Sequence, residues 1–276
     1  MSLLLRYPGF KTKAVTLSYD DGVHFDKRLV EIMSKYGLKG TFNINSGTLA
    51  KESGGYKLSC AEAVELYDGS GNEVAVHGER HLSLGVVDPA VAVRDVIHDR
   101  EQLEDIFGRV IKGMAYANGS VNDTVVDILK MCGIEYSRTT VSTEKLDVPT
   151  DWLRMPATCH HNNPRLMEIT EKFLNEEPPK YYWSNKARLL YVWGHSFEFD
   201  RNDNWHVIEE FSRKVGGREE IFYATNGEIY DYVKAYNSLR ISANGKMIHN
   251  PTATDVYVND YGKDILIPAG KQIKID

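Results

Sequence analysis

Two adjacent carboxylates, Asp20 and Asp21, close an apolar run at residues 14–19, and two imidazoles, His77 and His81, stand four residues apart further along the chain. One carboxylate and two imidazoles make a three-ligand site for a divalent ion with a position open to water, and the other aspartate is left over as a base. The chemistry open to such a set is metal-assisted hydrolysis. Taken alone, Asp-Asp-Gly is most often a turn or an Asx cap. A histidine pair at i and i+4 points one way on a helical turn, yet it is as often a cap or surface feature as a ligand pair. The combination carries the reading. Gly78 follows the first histidine where the zinc-protease HExxH helix has its glutamate base, so a metalloprotease is not indicated.

The elements that must position these residues alternate between strand and helix signals. Residues 14–19 read as a strand, and Leu29, Ile32, Met33 and Tyr36 recur at helical spacing until Gly37. Residues 41–45 and 73–76 are short strands, and a long helix opens at Asp88 with Pro89 behind it and ends at Gly108. Strands are expected at 110–115, 134–138, 153–158, 189–193 and 221–225, with helices at 122–133, 205–215 and 228–237. Seven or eight such β/α units with short connections favour an α/β fold closed as a parallel barrel, complete or incomplete. Asp20, Asp21, His77, Tyr116, Asn118, Arg138 and His195 all fall at C-terminal strand ends, which converge on one face of a parallel barrel. From residue 239 to 276, turn signals at Asn244-Gly245 and Asp260-Tyr261-Gly262 mark a small β appendage to the barrel of residues 1–238, packed on it or placed at a homo-oligomer contact.

Composition narrows the function classes. The 276 residues, 42% hydrophobic and 26% charged, are ordinary globular material. A net charge of -6 without a basic block argues against nucleic acid or an anionic membrane as partner, and no apolar run spans a bilayer. Cys60, Cys132 and Cys159 cannot all pair and lack CxxC spacing, which fits a reducing compartment. Residues 1–13 show no secretory cleavage pattern, so a cytoplasmic protein is expected, although a chain trimmed of its leader would read the same.

Thr16-Leu17-Ser18-Tyr19-Asp20-Asp21-Gly22 resembles the first motif of the polysaccharide deacetylases, the NodB-homology group or carbohydrate esterase family four, and His77-x-x-x-His81 resembles their second. Val192-Trp193-Gly194-His195 resembles the late motif that carries a general acid, and the resemblance spans residues 15–236. It implies a distorted barrel, Asp20 as base, Asp21, His77 and His81 as metal ligands, and His195 as acid. The implied reaction removes acetyl groups from N-acetylated or O-acetylated carbohydrate. Zinc is the first choice of ion, with cobalt, nickel and manganese also suited to an N/O ligand set. The third motif departs from the family pattern: Ala115-Tyr116-Ala117-Asn118-Gly119 lacks the arginine that usually orients the base, and Arg138 is expected to take that place in preference to Arg154. Tyr116, Asn118, Arg138 and Trp193 are the expected contacts to substrate or transition state, with Trp193, Trp205 and Tyr116 as sugar-stacking candidates. Asp151-Trp152 only echoes the fourth motif, and Cys159-His160-His161 reads as a turn with exposed imidazoles. Two other readings stand beside the deacetylase. One is hydrolysis of a small linear or cyclic amide such as a ureide or imide, and the other is a non-catalytic metal or carbohydrate binder.

Overall fold

The structure, a computed structural model, describes residues 3–176, 179 and 181–275. After β1 (Leu4–Arg6) the chain runs β2 (Lys13–Asp20), α1 (Asp26–Lys35), β3 (Gly40–Ile44), α2 (Cys60–Gly69), β4 (Glu73–Val76), α3 (Pro89–Phe107) and β5 (Gly113–Ala115). It continues through α4 (Asp123–Met131), β6 (Tyr136–Ser142), β7 (Met155–Ala157), β8 (Cys159–His160), α5 (Leu166–Asn175), β9 (Arg188–Gly194), α6 (Phe197–Arg201), α7 (Trp205–Val215), β10 (Ile221–Tyr223) and α8 (Asn226–Asn237). Local chemistry explains the firmest boundaries. Asp88 accepts the Ala90 N–H at the start of α3, Pro89 needs no partner there, and Gly108 ends the helix at φ 62°. α2 escaped the periodicity reading, although Ser59 and Glu62 form a capping box that announces it.

Among the described residues, nine parallel strands form one sheet in the order β7-β6-β5-β4-β3-β2-β9-β8, with β10 beside β2. β2 sits at the centre and is buried along almost its whole length, as a strand covered on both faces must be. Thr158, between β7 and β8, helps close the sheet: it donates its N–H to Tyr191 and its hydroxyl to Leu189, while Glu144 donates to its carbonyl. The result is a distorted (β/α) barrel. β6 runs past the expected end at residue 138 to Ser142, so Arg138 lies within a strand and points into the barrel, fully buried, and does not sit at a strand end.

After α8 come β11 (Arg240–Ile241), β12 (Met247–His249), β13 (Val256–Asp260), β14 (Lys263–Ile267) and β15 (Gln272–Lys274). They build two small antiparallel sheets, β11-β12-β15 and β1-β13-β14. Ile248, Val256, Val258 and Ile267 share a core with Ala235 of α8, and Tyr232 and Tyr236 of α8 donate to the carbonyls of Arg6 and Leu3. A division at residue 239 therefore leaves out β1, which belongs in space to the appendage. No helix among the described residues is long and apolar enough to cross a membrane.

Candidate active site

Strand register builds the site around Asp20. β2 and β3 pair Asp20 with Asn43, and Asn43 Nδ2 donates to Asp20 Oδ1 at 2.9 Å. From across the barrel, Arg138 Nη2 reaches both carboxylate oxygens, at 2.7 and 2.5 Å. His77 Nε2 and His195 Nε2 each lie 3.8 Å from Asp20 Oδ2. Burial pushes the Asp20 carboxyl up, but Arg138, followed by His77 and His195, outweighs it and holds the group down to about 2. Asp20 is thus buried, ionised and aimed.

Asp21 reaches the same His77 imidazole from a left-handed backbone, with φ 84° followed by Gly22 at φ 60°, a turn that Asp and Gly tolerate better than most residues. The turn is held by the Asp21 N–H on the Asn43 carbonyl and by Lys57 Nζ on the Asp21 carbonyl at 2.6 Å. Asp21 Oδ1 lies 3.9 Å from His77 Nε2 and 3.7 Å from His81 Nε2, and the three ligand atoms lie within 4.8 Å of one another. His77 Nδ1 donates to the Ala115 carbonyl at 2.8 Å. Its lone pair is therefore on Nε2 and turned toward Asp21, the arrangement metal-ligating histidines use.

His77 and His81 are not on a helical turn, as i, i+4 spacing suggested. They follow β4 in a loop with Gly78 at φ 82° and His81 at φ 57°. A Cβ at Gly78 would lie 2.6 Å from Asp95 Oδ2, so close packing and backbone conformation both require glycine there. Buried acids brace this loop. Asp99 accepts the His77 N–H at 2.9 Å and the Ser46 N–H and hydroxyl at 2.7 and 2.6 Å, and Asp95 accepts from the backbone and Nε of Arg80. Burial pushes Asp99 up to about 7 against those hydrogen bonds.

The remaining expected contacts divide. Arg138 reaches Asp20, whereas Arg154 lies on the surface paired with Asp123 and Asp151. Trp193 is 8% exposed and lies under the Arg138 guanidinium at 4.3 Å, which makes it a wall of the site more than a stacking platform. Tyr116 is buried and donates to the Leu153 carbonyl at 2.7 Å, and Trp205 is buried against Phe199 and Arg28; neither is open to a sugar ring. Asn118 is exposed in the 117–119 turn at φ 56° and donates to Ser83. Asp151 caps the short turn at Trp152–Arg154 and pairs with Arg154, away from the cluster. His160 and His161 are not an exposed pair, since His161 is fully buried, and both rings contact Glu198. Glu198 and Asn43 went unread in the sequence; Glu198 stands three residues past His195, a one-turn spacing that could have drawn attention to it.

The fold and site define a parallel α/β barrel with a carboxylate–dihistidine cluster at its C-terminal strand ends. Residues 8–137 match the family model for polysaccharide deacetylase. The match takes in Asp20, Asp21, His77 and His81 and stops one residue short of Arg138. No curated protein matches the chain. Among solved structures, a Mycobacterium smegmatis protein provisionally assigned as a polysaccharide deacetylase is similar at TM-score 0.62 and 18% identity, over 86% of this chain and 95% of its own. The Bacillus anthracis protein BA3943, described as a family-four pseudoenzyme, is similar at TM-score 0.51 and 14% identity, over 82% of this chain and 67% of its own. A Streptococcus pyogenes deacetylase, PplD, solved with acetate, is similar at TM-score 0.43 and 22% identity over 45% of this chain, which spans 55% of that protein's length. At these identities the first two likenesses bear on the fold alone.

Proposed function

We propose that this chain is a metal-dependent hydrolase that removes acetyl groups from N-acetylated carbohydrate, or from acetyl esters of it. The observation that carries the reading is the division of labour between neighbours: Asp21 faces two imidazoles, while Asp20 is ionised under Arg138. The donor set fits a divalent ion, zinc first and cobalt, nickel or manganese next, because His77 offers Nε2 and an N/N/O set suits all four. Held by Asp21, His77 and His81, such an ion would polarise the acyl carbonyl and lower the pKa of water.

The chain's own groups supply the proton transfers. Asp20, fixed by Arg138 and Asn43, takes the proton of the attacking water at a carboxylate oxygen. His195 Nε2, across from Asp20, gives a proton to the departing amine or alkoxide, and acetate leaves with the second product. The oxyanion is met by a backbone donor of the 117–119 turn.

The missing motif-three arginine favours a non-catalytic relative, and the Arg138–Asp20 contact weighs against that. Elemental analysis, followed by acetate release from N-acetylglucosamine oligomers and acetylated xylan with protein stripped and reloaded with each metal, tests the function. Asp20→Asn should keep its metal and lose roughly 10²–10⁴-fold in kcat; a near-normal rate would refute the base assignment. Metal without acetate release across the panel would return the ureide and binder readings.

A further inference from the structure

A second histidine and carboxylate cluster stands beside His195. Glu198 Oε2 lies 3.1 Å from His160 Nε2 and 3.1 Å from His161 Nε2, while Glu198 Oε1 lies 3.6 Å from His195 Nδ1. By residue type and spacing this is a candidate metal site. The wiring of His160 argues otherwise. Its Nδ1 accepts the Asn162 backbone N–H at 3.1 Å, so the proton of a neutral ring must sit on Nε2 and face Glu198, where an ion would need a lone pair. His161 is fully buried between the rings of Tyr19 and Phe199, with centroids at 5.7 and 4.0 Å. Its Nδ1 is pressed against Gly194, where a Cβ would lie 2.1 Å away, so Glu198 is what its Nε2 faces. Asn162 Nδ2 and Arg201 Nη2 donate to the same carboxylate at 3.3 and 3.4 Å. Asn162 and Arg201 thus donate to Glu198, His160 turns its Nε2 proton to it, and His161 Nε2 and His195 Nδ1 face it with no other hydrogen-bond partner.

Resting on the deacetylase reading, we propose that Glu198 is the positioning residue of His195: it draws the Nδ1 proton and leaves Nε2 facing Asp20 and the leaving group, while His160 and His161 fix the carboxylate. Glu198 lies one turn beyond His195 at the start of α6, so backbone geometry sets the separation. The groups facing His195 are Asp20 at 3.8 Å, Glu198 at 3.6 Å, the His160 ring at 6.3 Å, and the rings of Trp193 and Phe197. Burial favours a neutral His195, but Glu198, then Asp20 and Asp21, outweighs it and raises the imidazole above its ordinary value. A histidine held in this way stays a proton donor at higher pH.

Glu198→Gln in the full, metal-loaded chain tests the assignment by three readouts. Metal content should stay at one ion per chain. On an N-acetylglucosamine oligomer KM should hold, kcat should fall about 10–100-fold, and the basic limb of the kcat profile should move to lower pH. Histidine-ring NMR should show the His195 midpoint falling by roughly one unit, and Glu198→Asp, which keeps the charge, should restore it. The proposal is overturned if the wild type binds two ions and Glu198→Gln one, or if Glu198→Gln leaves the His195 midpoint and pH profile unmoved. The NMR readout needs no turnover, so a shifted midpoint in a protein inactive on every substrate would sustain the Glu198–His195 coupling while the deacetylase reading fails.

Discussion

The two histidine and carboxylate clusters of this barrel share a composition and differ in wiring. In the Asp21–His77–His81 cluster, His77 spends its Nδ1 proton on the Ala115 carbonyl and presents a lone pair to the carboxylate. In the Glu198 cluster, His160 receives a backbone N–H at Nδ1 and presents a proton. The supporting acids differ in the same sense. Asp99, which braces His77, is pushed up to about 7 by burial, whereas burial of Glu198 is overcome by His160, His161 and His195, which hold it well below the usual carboxylate range. A triad of ligand-type residues therefore says little until the partner of the far ring nitrogen is known.

The sharpest way to break this comparison is to remove one imidazole from each cluster. His81→Ala should lower metal affinity by more than the roughly 100-fold that loss of a supporting partner costs, while His160→Ala should retain one ion per chain by elemental analysis. Equal loss from both variants would mean that the clusters do the same job. Arg138→Lys probes the hinge between them, Asp20. A lysine keeps the charge but loses the planar reach to both oxygens, so kcat should fall on the order of tenfold. With Arg138 weakened as the chief counterweight to burial, the Asp20 midpoint should rise, and the acid limb of the rate profile should move to higher pH.

The smallest effect is on stability, and its sign differs between the clusters. Asp99 keeps a proton in the folded state up to about pH 7 that the unfolded chain releases near the ordinary value of 3.8. Its contribution therefore falls as pH rises across that window, by on the order of 1 kcal/mol or more. Glu198, depressed in the folded state, contributes stability above its unfolded value that is lost as pH falls below it. Urea midpoints from pH 4 to 7 should decline less steeply in Asp99→Asn than in the wild type, and equal slopes would show that Asp99 is not held neutral.

The strand-end residues were legible because an apolar run that stops at a polar residue is a local pattern, as at Asp20 and His77. The long helix α3 was legible for the same reason, from Asp88, Pro89 and Gly108. The aromatic assignments were not. Tyr116 and Trp205 stand near strand and helix ends in sequence, yet both side chains turn into the core, because periodicity does not say which way a ring faces in a barrel. The i, i+4 spacing of His77 and His81 also misled, since Gly78 and His81 adopt left-handed backbone in place of a helical turn.

By itself the sequence determined the alternation of strands and helices, the polar residues that end the strands, and the motifs around Asp20-Asp21 and His77-x-x-x-His81. Those are properties of short segments, set by side-chain type and backbone preference. Only the tertiary structure decided that Arg138, 118 positions from Asp20, reaches its carboxylate, that β1 joins the C-terminal sheet, and that His160 and His161 close on Glu198. The first and last depend on barrel closure and on a guanidinium or ring orientation, and the second on backbone pairing between the two ends of the chain, which packing settles across the whole chain.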